Sequence, residues 1–370
     1  MRRGIAFLLA LLLLSACGCA KTDTDLSTYG TTPDNTVADE PTLGKAVGVL
    51  LPNDTQIQWQ EDGKKLAEGL KELGFEAQIA YGQDDAFKQA EQMEEMVKAG
   101  VACLIVAAVD SLALTGVLEQ AKSAGIGVIA YDRLLMNTDA VSCYIGYDDL
   151  QSGVTMAEQI VKAMQLEIAQ AEEKSYTIEF FMGSPENNSA VLQHQGVMQV
   201  LQPYLDSGVL VCKTGRTAFE DVCTQDGLGE RAKADCQKYL AETYSEENLD
   251  IVCAASDALA GGCIAALEEA GCKDWPFITG QDGALEGAQR VASGKQTLTL
   301  YKNRNTMIFQ CLTVAEQLLT GELLQSDGVS CHNGEKEVPA WLTQTVLITG
   351  ENYRQELIDS GIYTEQQLSA

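Results

Sequence analysis

From residue 45 to the C-terminus, short apolar runs alternate with amphipathic stretches, and this alternation constrains the fold more than any other feature. The amphipathic stretches place apolar residues on one helix face, as at Leu66, Leu70 and Leu73 before Gly74. Apolar runs joined by helices predict a parallel β-sheet covered by helices on both faces. The strands predicted in the first half are residues 46–51, 76–81, 103–106 and 127–130.

The same rhythm restarts near residue 177, which predicts a second parallel sheet of similar size. A chain of 370 residues is long enough to bury two hydrophobic cores. No proline- and glycine-rich linker separates the halves, and the break at 147–152 falls between a predicted strand and a predicted helix. The sequence therefore predicts an α/β fold with two doubly wound sheets. The strands predicted in the second half are residues 177–182, 210–213, 251–255 and 277–279.

The first residues have the pattern of an export signal. Arg2 and Arg3 precede an apolar stretch of about ten residues, which is too short to cross a membrane. Residues 14–17, Leu-Ser-Ala-Cys, resemble the bacterial lipobox, in which the cysteine is lipidated and begins the mature chain. We expect a lipoprotein signal peptide at 1–16 and a flexible, lipid-anchored tether at 17–44. An ordinary cleaved signal with an accidental cysteine is the alternative.

Lipidation of Cys17 would hold a very acidic body at the membrane. Lys+Arg 25 against Asp+Glu 53 gives a net charge of −28, which argues against nucleic-acid binding and against adhesion to anionic lipid. The lipid is thus the only expected membrane contact, and the expected location is the outer face of the cytoplasmic membrane or the periplasm. Two histidines leave little room for a His-based metal site or catalytic triad, and no metal or cofactor is expected.

The cysteines favour free thiols over a disulfide framework. The chain has 12 cysteines, and removing Cys17 from the count leaves an odd number, so full pairing would fall one short. Cys103 and Cys253 lie in predicted strands, where cysteine acts as a small apolar residue. We expect mostly free, buried thiols. The alternative is one or two disulfides, for which Cys212 and Cys223 are the nearest-spaced candidates.

Polar residues gather just after the predicted strands, where open α/β sheets bind their ligands. Two lobes that face each other with these strand ends would enclose a cleft. Asp132 and Arg133 follow a buried run, and two adjacent charges there need a partner, so we expect them to contact a ligand. Asp110 and Ser111 are better explained as helix N-caps. Carboxylates, cations and amides beside one indole suit the hydroxyls and C–H groups of a sugar.

Three motifs resemble the D-xylose-binding and multiple-monosaccharide-binding proteins of bacterial ABC importers. They are Val-Ile-Ala-Tyr-Asp-Arg at 128–133, Gly-Ser-Pro-Glu-Asn-Asn at 183–188 and Gly-Gln-Asp at 280–282. The resemblance implies a type I periplasmic-binding-protein fold, in which three crossing segments join two Rossmann-like lobes that close on a sugar. It implies a first lobe of residues 45–148 and 303–335 and a second lobe of residues 149–302 and 336–370.

The resemblance also implies a set of ligand-binding residues. Trp59 matches the family's aromatic residue of the first lobe, while Gln58 stands where the family usually has arginine. Asp149 stands where the family has asparagine, and Ser189 replaces a second asparagine. Because an arginine is lost, the identity of the sugar cannot be carried over. The expected binding residues are Gln58, Trp59, Asp132, Arg133, Asn188, Asp257, Asp282 and Lys302.

The function implied by the resemblance is a solute-binding lipoprotein. It would capture a pentose or hexose between the lobes and deliver it, as a monomer, to an ABC permease and through it to an ATPase. Two alternatives stay open at this point: a sugar-sensing receptor for a sensor kinase or chemoreceptor, and a surface enzyme that processes sugars. The residues 227–232 match Gly-x-Gly-x-x-Ala, but no strand precedes them, so a dinucleotide site is not expected.

Overall fold

The computed structural model describes residues 46–324, 326 and 328–369. The expected signal peptide, the lipidated Cys17 and the tether lie outside these residues. No helix within the described residues is both long and apolar enough to span a membrane.

The first part of the chain alternates strand and helix as the sequence predicts. The helix after the second strand begins behind Asp85, whose carboxylate accepts the backbone N–H of Phe87 at 2.9 Å. It ends at Gly100, whose φ of +72° suits glycine. The elements are β1 (Ala46–Leu51), α1 (Ile57–Glu72), β2 (Glu76–Tyr81), α2 (Ala86–Ala99), β3 (Cys103–Val106), α3 (Thr115–Ser123), β4 (Gly127–Tyr131) and β5 (Cys143–Tyr147).

The chain then crosses into a second set of elements, which again alternate strand and helix. They are α4 (Asp149–Met164), α5 (Leu166–Ala171), β6 (Tyr176–Phe181), α6 (Asn188–Asp206), β7 (Leu210–Val211), α7 (Phe219–Val222), a 3-10 turn (Gln225–Gly227), α8 (Gly229–Glu242), β8 (Ile251–Ala254), α9 (Asp257–Ala270), β9 (Phe277–Ile278), β10 (Gln281–Asp282), α10 (Leu285–Ala292) and β11 (Leu298–Tyr301).

The last part of the chain adds elements to both sets. They are α11 (Arg304–Thr320), β12 (Ser330–His332), β13 (Glu337–Thr343), β14 (Val346–Thr349), a π-helical turn (Arg354–Asp359) and α12 (Glu365–Leu368).

The first lobe, residues 46–147 and 304–343, is built on a seven-stranded sheet in the order β12-β13-β5-β4-β3-β1-β2. Its strands are parallel except for β12, which pairs antiparallel with β13. Both faces are buried: Leu104 and Val106 of β3 pack into one core, and Cys103 and Ile105 pack into the other. This is the covered parallel sheet that the apolar runs predict.

The second lobe, residues 149–301 and 346–369, has two short sheets that follow one another. One has the order β7-β6-β8-β9 and is parallel, and the other has the order β10-β11-β14. Strands β9 and β10 are separated only by Thr279 and Gly280, so one extended segment serves both sheets. The predicted α/β fold with two lobes is confirmed. The prediction of a single second parallel sheet of similar size is wrong, because the second lobe divides into these two short sheets and β11 pairs antiparallel with β14.

The boundary that the resemblance placed between residues 335 and 336 is wrong. Strand β13 belongs to the first lobe, because Ala340 pairs with Tyr144 and Trp341 with Ile145 in parallel register. The third crossing therefore follows Thr343. Pro339 lies inside β13, and a proline argues against an inner strand because it cannot donate a ladder hydrogen bond. The structure accommodates Pro339 opposite Ser330, on the side of the three-residue edge strand β12.

The crossing segments are bonded to one another. The backbone N–H of Asp148 donates to the Thr343 carbonyl at 3.4 Å, and the hydroxyls of Ser152 and Thr345 lie 3.3 Å apart. The second crossing joins them through the Lys302 ammonium, which lies 3.3 Å from the Asp149 carboxylate. Polar contacts therefore connect all three crossing segments of the hinge to one another.

All ten cysteines of the described residues are free, and six of them are buried. Cys253 lies in β8 and Cys311 in α11, inside the two cores. The expectation of mostly free, buried thiols is confirmed for this part of the chain. The alternative pairing of Cys212 with Cys223 is wrong.

Helices α4 and α6 pack so closely that only glycine fits between them. A Cβ atom at Gly196 would overlap the carbonyl oxygen of Leu150 and lie 2.9 Å from the backbone nitrogen of Val154. Backbone atoms cannot move aside as a flexible side chain can. We therefore expect Gly196→Ala to lower the free energy of unfolding by about 2–3 kcal/mol, as overpacking does.

The matched control is Gly116→Ala. Gly116 lies in α3, is exposed, and an added Cβ would meet nothing within 4 Å. Alanine should there raise the free energy of unfolding by up to about 1 kcal/mol, because it is the better helix former. Urea unfolding of both variants tests this, and equal effects would contradict the close approach.

Candidate ligand-binding cleft

A cavity of about 590 Å³ lies between the lobes at the carboxyl ends of their strands. Seven of the eight expected binding residues line it: Gln58, Trp59, Asp132, Arg133, Asp257, Asp282 and Lys302. Asn188 does not line it, but its neighbours Asn187 and Ser189 do. Asn187 is the N-cap of α6 and accepts the N–H of Ser189 at 3.1 Å. The cleft-facing positions are thus one residue before and one after the expected one.

Trp59 forms the aromatic wall of the first lobe. Helix α1 holds its indole almost completely buried, at 1% exposure. The Arg133 guanidinium lies 5.6 Å and the Arg304 guanidinium 4.8 Å from the ring centroid, both within cation–π range. The indole Nε1 has no hydrogen-bond partner among the described residues.

Asp132 presents an unused acceptor to the cleft. Its backbone is fixed by hydrogen bonds to the Ile145 carbonyl at 2.8 Å and from the Tyr144 hydroxyl at 3.1 Å. Its φ of +63° is a left-handed conformation that aspartate tolerates better than most residues. The buried Oδ1 accepts no hydrogen bond within the described chain, and the Arg304 Nη1 lies 3.6 Å away.

Arg133 has both a structural and a cleft-facing side. Its Nη1 donates to the carbonyls of Ala108 at 2.7 Å and Val109 at 3.3 Å, just beyond β3. Its Nε is buried and, in the part of the chain described, unpaired. Burial lowers the pKa of the guanidinium, although the neighbouring Asp132 opposes this shift. Arg133 therefore anchors a loop and keeps one donor for a ligand.

Arg304 is a cleft residue that the sequence analysis missed. Its Nε donates to both oxygens of Asp62 at 3.0 Å, and its Nη2 also contacts this carboxylate. Asp62 is 1% exposed and also accepts the Tyr131 hydroxyl at 2.9 Å. Burial opposes the charge of Arg304, but Asp132 and Asp62 outweigh it and raise the pKa. A cation in the first turn of a helix opposes the helix dipole, which is a signal that it needs carboxylate partners.

Lys302 and Asp149 form a buried ion pair at the hinge. Their side chains are 13% and 3% exposed, and the Lys302 ammonium also lies 4.8 Å from the ring centroid of Tyr147. Burial alone would lower the pKa of Lys302, but neighbouring carboxylates, Asp149 foremost, outweigh it and raise this pKa. Burial raises the pKa of Asp149, and the Lys302 charge counteracts part of that shift.

Asp257 lines the cavity, but its carboxylate accepts hydrogen bonds from residues of the second lobe. Its carboxylate accepts the Gln296 amide at 2.7 Å, and it accepts the Ala284 N–H and the Thr299 hydroxyl at 3.0 Å each. Burial, followed by the charge of Asp282, raises the pKa of Asp257 to about 7. Burial likewise raises the pKa of Asp282 to about 6.

The cleft therefore contains one buried carboxylate oxygen and two buried donors that have no hydrogen-bond partner in the described chain. The acceptor is Asp132 Oδ1, and the donors are Trp59 Nε1 and Arg133 Nε. A ligand with hydroxyl groups, each able to donate and to accept, complements this set. Within the described residues, no three His, Cys, Asp or Glu side chains group together as a metal site.

Breaking the buried Arg304–Asp62 pair should lower the free energy of unfolding more than breaking an ion pair on the surface. Arg304→Met leaves the Asp62 carboxylate buried without its ion-pair partner, which costs about 3–5 kcal/mol. Arg354, 62% exposed and 2.8 Å from Glu365, is the surface counterpart. Arg354→Met should cost less than about 1 kcal/mol. Urea unfolding of the ligand-free variants measures both, and similar losses would contradict the role given to Asp62.

A family model described as a periplasmic binding protein domain matches residues 47–323. The multiple sugar-binding periplasmic protein of Azospirillum brasilense is 33% identical over 342 residues, covering 91% of this chain and 94% of that protein. The D-xylose-binding periplasmic protein of Escherichia coli is 30% identical over 323 residues, covering 87% and 92%.

A solved structure gives the same result. An ABC transporter solute-binding protein from Clostridium phytofermentans, solved with bound β-D-glucose, is 37% identical to this chain. The match covers 87% of this chain and 99% of that chain, with a TM-score of 0.83. The resemblance stated from the motifs is confirmed: the chain belongs to the periplasmic binding proteins and has their type I fold.

Proposed function

We propose that this protein captures a pentose or hexose in the interlobe cleft and delivers it to an ABC permease. The observation that carries the proposal is the set of buried, unpaired polar atoms on Asp132, Arg133 and Trp59. Leaving such atoms unpaired costs free energy, which a ligand with hydroxyl groups recovers. The names of the relatives support the class of ligand: multiple sugars for one, D-xylose for another, and bound glucose for a solved neighbour.

The contacts are shared between the two lobes. Gln58, Trp59, Asp132 and Arg133 come from the first lobe, and Asp282 comes from the second. Lys302 and Arg304 reach the cleft from the second crossing. We assign Asn187 and Ser189 as binding residues in place of Asn188, because these two line the cavity. Asp257 holds the backbone behind Asp282 instead of binding the sugar directly. Because both lobes contribute, the sugar should favour the closed arrangement.

The cleft binds its ligand without changing it. The charged groups beside Asp132 are engaged in ion pairs, as in Asp149–Lys302 and Asp62–Arg304. The relatives are sugar-binding proteins of transport systems, which supports binding and release over chemistry. We further propose that the ATPase acts through the permease and that the receptor works as a monomer.

We expect lipidation of Cys17 to keep this receptor on the same membrane as its permease. A lipid at Cys17 would hold the sugar-binding body outside the cytoplasmic membrane, while the excess of acidic residues, a net charge of −28 for the full chain, would keep that body off the anionic surface. Diffusion is then limited to the membrane plane.

Asp132→Asn should weaken sugar binding at least tenfold. The amide keeps the left-handed backbone but loses a charged acceptor, and a hydrogen bond to a charged group is worth about 1.5–3 kcal/mol. The control is Asp110→Asn: Asp110 also follows a first-lobe strand, but it accepts the Leu112 N–H at 2.8 Å and does not line the cavity. Calorimetry with D-glucose, D-galactose and D-xylose measures both. Equal affinities for the two variants would remove Asp132 from the site.

Cys17→Ala should abolish incorporation of a fatty-acid analogue in cells that express the full chain. Cys19→Ala is the matched control, because Cys19 lies two residues beyond the lipobox cysteine and should not affect labelling. Labelling that persists in Cys17→Ala would exclude the lipid anchor without affecting the sugar-binding proposal.

A further inference from the structure

We infer that Asp149 sets the charge preference of the cleft: by neutralising Lys302, it makes the site select neutral sugars over sugar acids. This inference rests on the proposed function and deepens it, since it concerns which sugars the same site accepts. It starts from the partners of the charged groups that line the cavity.

The cleft lining carries four cations, and three of them make two or more hydrogen bonds to the protein, whereas Lys302 makes one. Arg133 donates to two carbonyls beyond β3. Arg304 is held by both oxygens of Asp62, and Arg290 donates to the Asp257 carbonyl at 2.5 Å. Lys302 differs, because its one ion pair among the described residues is the 3.3 Å contact with Asp149.

Lys302 is therefore the cation that a ligand carboxylate would pair with most readily. Asp149 occupies that role permanently, since it lies at the first crossing and is 3% exposed. A ligand carboxylate would also approach Asp132 and Asp282, which carry the same sign of charge and line the same cavity. The lining holds six carboxylates against the four cations: Asp132, Asp149, Asp226, Asp257, Asp282 and Glu286.

Asp149→Asn removes this neutralisation with almost no change in side-chain shape. Among the described residues, the Lys302 ammonium then has no carboxylate within 4.0 Å, and a ligand carboxylate can supply one. We expect the preference for a neutral sugar over its acid to fall at least fivefold. The preference is the dissociation constant of the acid divided by that of the neutral sugar.

The matched control is Asp148→Asn. Asp148 is the N-cap of the same helix and accepts the Gln151 N–H at 3.0 Å, which asparagine can also do. Asp148 does not line the cavity. Asp148→Asn removes the same charge one residue away and should leave the preference unchanged. In the double variant Asp149→Asn/Lys302→Gln, the ammonium is gone as well, so the gain in acid binding should disappear.

The experiment is calorimetry of each variant with D-glucose and D-galactose and with their acids, D-glucuronate and D-galacturonate. The wild-type protein should bind the neutral member of a pair at least fivefold more tightly, a result that needs no variant. Equal wild-type affinities, or a preference in Asp149→Asn within fivefold of that in Asp148→Asn, would overturn the role of Asp149.

The experiment distinguishes failure of the role given to Asp149 from failure of the proposed sugar-binding function. If the wild-type protein binds a neutral sugar but the preference does not move, only the role of Asp149 is lost. If no sugar of either kind binds to the folded wild-type protein, the proposed function is lost, and the inference falls with it.

Discussion

The Asp62 carboxylate is the constraint on which the cleft depends. It is 1% exposed, so its charge is tolerable only because Arg304 and Tyr131 bond to it. Arg304 begins the helix that returns the chain from the second lobe, and Tyr131 ends the strand that carries Asp132. One buried carboxylate of α1 thereby fixes the second crossing against the first sheet, and it aims the guanidinium over the Trp59 ring. Without Asp62, the start of α11 and the end of β4 would not be bonded to the same side chain.

Polar side-chain contacts also hold the hinge segments together. The three segments are joined by side-chain contacts, Asp149 to Lys302 and Ser152 to Thr345, at 3.3 Å each. Three polar atoms of the first lobe, on Trp59, Asp132 and Arg133, remain buried and without a hydrogen-bond partner in the described chain. A hydroxylated ligand that pairs with them would recover this cost, which would couple the stability of the folded protein to ligand binding.

The sequence predicted the parallel sheet of the first lobe well, because continuous apolar runs such as those of β3 and β4 have few alternatives to a covered parallel strand. It did not predict that the second lobe divides into two short sheets. The strand-end rule also located Asp132, Arg133 and Lys302 in the cleft. The family resemblance selected Asn188, which does not line the cavity, whereas its neighbours Asn187 and Ser189 do. The sequence analysis also missed Arg304, whose partner Asp62 is distant in sequence, and the boundary implied by the resemblance assigned β13 to the wrong lobe. Pairing between remote residues is what a single sequence does not contain.

Two aspartates of the cleft show why residue type does not decide function. Asp132 and Asp149 both line the cavity, both lie near a strand end, and both face cations. Asp132 keeps a buried oxygen without a hydrogen bond in the described chain, so it has an acceptor to offer a ligand. Asp149 lies 3.3 Å from Lys302, so its charge is already used and its effect is to withhold that cation from the ligand. We therefore propose that the first aspartate contacts the sugar and that the second sets which charge the sugar can carry. Removing the same negative charge from each should weaken binding at one position and widen the range of ligands at the other.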